Sequence, residues 1–379
     1  MSSIAEVTVY PVGVPVTRAF TFSSGNAGAP GTRAGLVFVR VRDADGHVGW
    51  GQSRPVPSWS YETVEGAVAA LRRNLGPAVV GADPWDRVGL HQRMFAAIGR
   101  GPSDGMPIAK AALDIAVHDL LARRAGLPLR ALLGGSTAPA RLPLSWTCTA
   151  HRVEDIAADV EEGLALGLRH FNFKAAVTPA SDIALAEKLS GIVPAGSFLW
   201  ADCNQGFSLP DAVRVAGAFE SIGVNLLEQP LPADQPHLLE SLRARTRIPL
   251  AVDEASVSPG DFFDYARRGL VDYLVLKVPR SAGLWPSFLQ MATARAAGLP
   301  FIVSGLADGL LTKLAAAQLA AAFGNTLPMA LNGSQFLDES AFFPSKNEWE
   351  SEGSVCLGNQ PGVGPAPDEA AIRDALIPL

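Results

Sequence analysis

From residue 136 onward the chain repeats one pattern: a short apolar run, a loop, then a helix-like segment. The runs end near Trp146, Lys174, Asp202, Glu228, Asp253, Lys277, Ser304 and Asn332, at intervals of 28, 28, 26, 25, 24, 27 and 28 residues. One strand plus one helix uses about that length, so the spacing predicts eight strand–helix units closed into a (β/α)8-type barrel. Segments such as LPDAVRVAGAFESIG and LWPSFLQMATARAAG carry the helical spacing between runs. The last unit is irregular, because GSQFLDESAFFPSKNEWE places polar and turn residues where a helix belongs; that helix is expected to be short or displaced.

The N-terminal residues follow a different rhythm. Residues 4 to 12 and 34 to 52 read as strands, the second folded into a hairpin around Ala44, Asp45 and Gly46, and helical periodicity covers 60 to 75, 83 to 99 and 106 to 125. The expectation is an α+β capping domain over 1–135, an α/β barrel over 136–349, and a Gly- and Pro-rich segment over 350–379 that packs back on the cap.

With 48% hydrophobic and 18% charged residues in 379, the chain has ample material for a core. A net charge of −6 argues against capture of nucleic acid or an anionic membrane. No secretory signal opens the chain, and no apolar stretch approaches the roughly 20 residues of a spanning helix, so the cytoplasm is expected. Cys148, Cys203 and Cys356 are too few and too scattered for a disulfide framework.

The polar residues at the run ends are the informative ones. In a barrel the C-terminal strand ends meet at one mouth. Asp202, Glu228 and Asp253 occupy that position in consecutive units, bracketed by Lys174 and Lys277. One acid there would read as readily as a helix N-cap; three in a row between two lysines point to a cation site. Carboxylates without nearby His or Cys suit a hard cation, Mg²⁺ first and Mn²⁺ as its substitute. A divalent charge beside two lysines suits removal of a proton α to a carboxylate, where an enediolate must be stabilised. Burial, the cation and the opposite lysine are expected to lower the lysine pKa, so that one serves as base and the other as acid.

Taken together, DCN at 202–204, LLEQPLP at 226–232, AVDEA at 251–255 and LVLKVPRSAGL around Lys277 resemble the enolase superfamily, and within it the muconate lactonizing enzyme subgroup. Residues 109 to 135 are similar to that family's helix leading into the barrel. The resemblance implies that Lys174 is the second lysine of a Lys-x-Lys signature whose first lysine is replaced here by Asn172. It implies supporting roles for Glu254 and Asn204, a basic residue at Arg280, and mouth-covering loops at 20–31 and 51–61. Phe20, Phe22, Trp59, Tyr61 and Trp146 are candidate pocket aromatics, with Ser304 and Asn332 as further substrate contacts at strand ends. The seventh-strand histidine of the mandelate racemase subgroup is missing from FIVSGL. His118 reads as structural, and His170 as an occasional inward residue.

The expected activity is racemisation or epimerisation of an amino-acid-like carboxylate, with no nucleic acid or membrane partner and a homo-oligomeric assembly. Cycloisomerisation of the muconate type and elimination by a dehydratase or o-succinylbenzoate-synthase-like lyase remain open on the same residues. A Schiff-base aldolase would have no use for three acids. A noncatalytic carboxylate-binding descendant finds its support in Asn172.

Overall fold

The computed structural model describes residues 2–22, 25–101 and 104–379. Its N-terminal part is an antiparallel sheet in the order β1 (Ile4–Pro15), β2 (Arg33–Asp43), β3 (Val48–Ser53). Helices α1 (Val64–Ala70), α2 (Arg87–Ala97) and α3 (Pro107–Arg124) cover it. The helical run predicted for 60 to 75 starts at Val64 and passes into a π-helical turn, Leu71–Leu75. Contact between α3 and β3 is backbone-close: a Cβ on Gly51 would lie 2.0 Å from the Ala112 carbonyl oxygen. Only glycine permits that approach.

The second part is a seven-stranded parallel sheet in chain order: β4 (Ser145–Cys148), β5 (His170–Lys174), β6 (Leu199–Asp202), β7 (Leu226–Glu228), β8 (Leu250–Val252), β9 (Tyr273–Lys277) and β10 (Phe301–Ser304). Helices α4 (Ile156–Ala165), α5 (Pro179–Ile192), α6 (Leu209–Ile222), α7 (Pro236–Arg243), α8 (Pro259–Arg267), α9 (Leu284–Ala296) and α10 (Leu310–Ala322) alternate with the strands. The predicted eighth strand is reduced to isolated bridges, Leu144 with Met329 and Ser304 with Ala330, which join the two sheet edges. Pro328 has no N–H to extend that ladder. Beyond Asn332 the chain enters a helical turn, Gly333–Phe336, where a Cβ at Gly333 would fall 1.6 Å from the Asp308 carbonyl oxygen.

The eighth helix is displaced because its residues bond to the cap instead. Thr17 N donates to Phe336 O at 2.8 Å, Asp338 N donates to Pro15 O at 3.1 Å, and Gln52 Nε2 donates to Glu339 Oε1 at 2.6 Å. In the C-terminal segment, Ser354–Leu357 pairs antiparallel with Ala140–Pro143, and Ile377 N reaches Pro11 O. Asp119 on α3, fully buried, accepts from Trp50 N at 2.9 Å and Val363 N at 2.7 Å, tying hairpin, cap helix and tail together. Among the described residues, no helix is long and apolar enough to cross a membrane.

The barrel interior is layered, as period-two alternation requires. Trp200, Leu226, Ala251, Val275, Ile302 and Ala330 form one buried apolar cluster. Two residues further along each strand come Asp202, Glu228, Asp253, Lys277, Ser304 and Asn332. Register pairs Asn172 with Trp200 and Lys174 with Asp202, so Asn172 lies in the lower layer and Lys174 in the upper.

Candidate active site

The three acids are not helix caps. The helices that follow them, α6, α7 and α8, have Ser208, Gln235 and Ser258 at their N-caps. Asp202, Glu228 and Asp253 are instead all at most 3% exposed beside the buried Lys174 and Lys277. Lys174 Nζ donates to Asp202 Oδ2 at 2.5 Å. Lys277 Nζ donates to Asp253 Oδ2 and lies 4.0 Å from Glu228 Oε1. Glu228 Oε2 accepts from Trp200 Nε1 at 2.8 Å, while its Oε1 accepts no hydrogen bond.

Burial pushes the Glu228 carboxyl well above the usual carboxylate range, and the Asp202 charge adds to it. Asp253 is equally buried, yet Arg280 and Lys277 hold its carboxyl below the usual value. Burial alone would lower Lys277, but Asp253 outweighs it and raises the ammonium pKa. The protein's own groups thus raise Lys277, whereas the lowering expected from sequence includes the charge of a bound cation.

A buried all-oxygen donor set with one carboxylate oxygen unbonded fits a hard divalent cation. Asp43, Asp45 and His47, in the turn between β2 and β3, bring ligand atoms within 4.8 Å of one another, closer than those of Asp202, Glu228 and Asp253 come together. Arg124 already pairs with both of those carboxylates at 3.1 Å, so the turn has its cation.

Phe20, Trp59, Thr147, Asn172, Ser304 and Asn332 enclose the remaining space with the lysines, a cavity of about 10 Å³, room for roughly one water. Trp59 is its roof: Lys174 Nζ lies 5.6 Å and Lys277 Nζ 5.4 Å from the ring centre. Phe20 packs edge-on against Trp59 at 5.2 Å and stacks on Phe336 at 4.6 Å. Phe22 supports Trp59 from 5.0 Å without lining the cavity, and Tyr61 is 55% exposed.

Trp146 points elsewhere. Thr147 is the residue of β4 whose side chain meets Asn172, so its neighbour Trp146 faces outward and donates to Asp159 Oδ1 at 2.9 Å. A larger cavity of about 500 Å³, where an eighth helix would pack, takes Trp146 into its wall. Arg280 is neither a solvated loop residue nor part of the cavity lining: it is 1% exposed and donates to Asp253 Oδ1 at 2.6 Å. Asn204 Nδ2 donates to Glu254 Oε1 at 2.9 Å, and burial raises Glu254. Asn172 Oδ1 accepts from Thr147 Oγ1, which in turn accepts from Asn332 Nδ2, forming an uncharged chain. His118 Nδ1 bonds the Asp114 carbonyl within α3, and His170 Nδ1 accepts from Phe198 N at the far end of β5 from Lys174.

Three residues near the site escaped the sequence reading. Asp308, just past β10, is buried, has one oxygen without a hydrogen bond, and is raised by burial to about 6. Arg18 ties the segment carrying Phe20 to the barrel, donating to Asp159 Oδ1 at 2.8 Å, Glu162 Oε2 at 2.7 Å and Thr149 Oγ1 at 3.2 Å. Trp200 is the third, and its signal was available: it stands two residues before Asp202 on one strand face.

Residues 5–134 match the model of the mandelate racemase / muconate lactonizing enzyme N-terminal domain, and residues 155–371 match that of the enolase C-terminal domain-like family. The chain belongs to the enolase superfamily, in the mandelate racemase/muconate lactonizing enzyme family. Muconate cycloisomerase 1 of Rhodococcus opacus is 29% identical over 96% of this chain and 95% of its own length. Aromatic dipeptide epimerase of Herpetosiphon aurantiacus is 29% identical over 90% of this chain and 93% of its own. The fold is also that of a dipeptide epimerase from Cytophaga hutchinsonii complexed with Mg and D-Ala-L-Val, with a TM-score of 0.88 at 23% identity over 98% of each chain. This member of the superfamily is an isomerase of the racemase, epimerase or cycloisomerase kind.

Proposed function

We propose that the enzyme moves the proton α to a carboxylate, using Lys174 and Lys277 as the opposed acid and base of a racemase or epimerase for an amino-acid-like substrate. The observation that carries this is the pair of buried lysine side chains flanking one small cavity beneath a single indole, from strands on opposite sides of the barrel. Asp202, Glu228 and Asp253 would hold Mg²⁺. Bound there, it would draw off the negative charge that develops on the substrate carboxylate. Lys174 and Lys277 then need only exchange a proton with opposite faces of one carbon. Trp59 excludes water above them, and Arg280 keeps Asp253 ionised. Glu254 and Asn204 brace each other beside the acids.

Cycloisomerisation is the second reading, favoured by the likeness to muconate cycloisomerase 1 along nearly the whole chain. Solvent exchange in D₂O against dipeptides, N-substituted amino acids and muconates separates the two. α-Deuteration of both enantiomers is the racemase outcome, abolished in Lys174→Ala and in Lys277→Ala while Mn²⁺ still binds. Either variant still interconverting enantiomers would refute the two-lysine assignment.

A further inference from the structure

Glu228 is held from the layer below by an indole, that of Trp200. Trp200, 1% exposed, packs into the apolar cluster formed with Leu226, Ala251 and Val275, and Phe198 meets its ring edge at 5.5 Å. Register sets Trp200 beside Leu226 and Asp202 beside Glu228, so the indole stands one layer below the acids on the inward face. Its Nε1 reaches up to Glu228 Oε2 at 2.8 Å. Both groups are confined, since Trp200 is 1% and Glu228 2% exposed. An indole N–H donates and cannot accept, so it can engage only one carboxylate oxygen. The other, Oε1, is left in the dry interior with no hydrogen bond.

We propose that Trp200 is a positioning residue for Glu228: its N–H saturates Oε2 and aims Oε1 alone into the site, so that Glu228 offers a cation one oxygen. This rests on the reading of Glu228 as a metal ligand. Hydrogen bonds to a ligating carboxylate fix its orientation, and losing one commonly weakens metal affinity about 10- to 100-fold.

The test is Mn²⁺ affinity of the purified full chain, read from the electron paramagnetic resonance signal of free Mn²⁺, with thermal melting followed in parallel. Trp200→Phe keeps an aromatic ring and removes the donor. β-(3-Benzothienyl)alanine placed at position 200 removes only the N–H and keeps the bicyclic shape, so folding is preserved even where Trp200→Phe disturbs packing. The expected result is a 10-fold or greater loss of Mn²⁺ affinity in the benzothienyl protein, which still melts cooperatively, at a midpoint lowered by the one lost hydrogen bond. Unchanged affinity in that protein overturns the proposal. Glu228→Gln, measured alongside, separates the two levels: if it leaves Mn²⁺ affinity unchanged, the reading of Glu228 as a ligand is what fails.

Discussion

Replacing Arg18 with alanine should loosen the roof of the site without unfolding the protein. Arg18 joins the segment leading to Phe20 onto α4 and the loop after β4. Its partners differ in worth. Asp159 has a side chain only 4% exposed, and a charge-assisted bond there is worth about 1.5–3 kcal/mol. The Glu162 side chain is 53% exposed, so that pair contributes about 0–1 kcal/mol. The guanidinium also sits 5.1 Å from the Trp146 ring centre, worth about 0.5–1 kcal/mol. Removing the side chain then costs the docked segment about 2–5 kcal/mol, a shift of roughly 30- to 5,000-fold in its open-to-docked ratio. Asp159 keeps its bonds from Trp146 Nε1, Thr149 N and Ala150 N, so no bare charge is left in the interior. The assay is chymotryptic cleavage after Phe20 and Phe22, located by mass spectrometry under conditions where cleavage tracks the open population. Faster cutting at those bonds with a nearly unchanged global melting midpoint is expected, because the loss is local. Arg18→Lys, which keeps the charge but not the fork, should fall between. If cleavage at Phe20 and Phe22 is no faster in Arg18→Ala, the anchoring argument is wrong.

Glu62, which follows the second cap loop, accepts from Ile108 N at 2.7 Å and Ala109 N at 3.1 Å, and burial raises its carboxyl to about 7. A raised acid makes the native state the better proton binder. Its contribution therefore falls as pH rises from its ordinary value of 4.5 to about 7, by about 3 kcal/mol, and is flat above. Glu62→Gln should lack that slope in urea unfolding measured from acid to mildly alkaline pH; parallel curves for the two proteins would remove the assignment. Asn172→Lys, which restores the first position of Lys-x-Lys, places an ammonium about 7 Å along β5 from Lys174, a repulsion of about 2 kcal/mol at an effective dielectric of about 20. Losing the acceptor for Thr147 Oγ1 adds about 1–2 kcal/mol. Urea unfolding should show the variant less stable by about 3–4 kcal/mol, and an unchanged midpoint would show that the uncharged chain is not what suits Asn172 to its layer.

The barrel was legible because its period is written in apolar runs that need no knowledge of partners. The acids and lysines followed from their place at run ends. Trp146 failed at finer grain: the strand runs on to Cys148, the inward residue is Thr147, one position on, and a one-residue error inverts a strand face. The role of Arg280 was not legible because its hydrogen-bond partner, Asp253, lies 27 residues away. The eighth unit was expected to be irregular, yet nothing in its composition disclosed that the cap would take over its hydrogen bonds. Arg18 was out of reach for the same reason, since its partners Asp159 and Glu162 lie 141 and 144 residues further along.

The bond from Gln52 to Glu339 spans 287 residues. On a ribosome, the N-terminal sheet emerges first and must wait for almost the entire chain before its edge is secured, as Ile377 on Pro11 also requires. A nascent chain that reaches only as far as Lys277 carries both lysines but still lacks Phe336, on which Phe20 stacks. The packing over the two lysines is thus completed by residues made later than the lysines themselves.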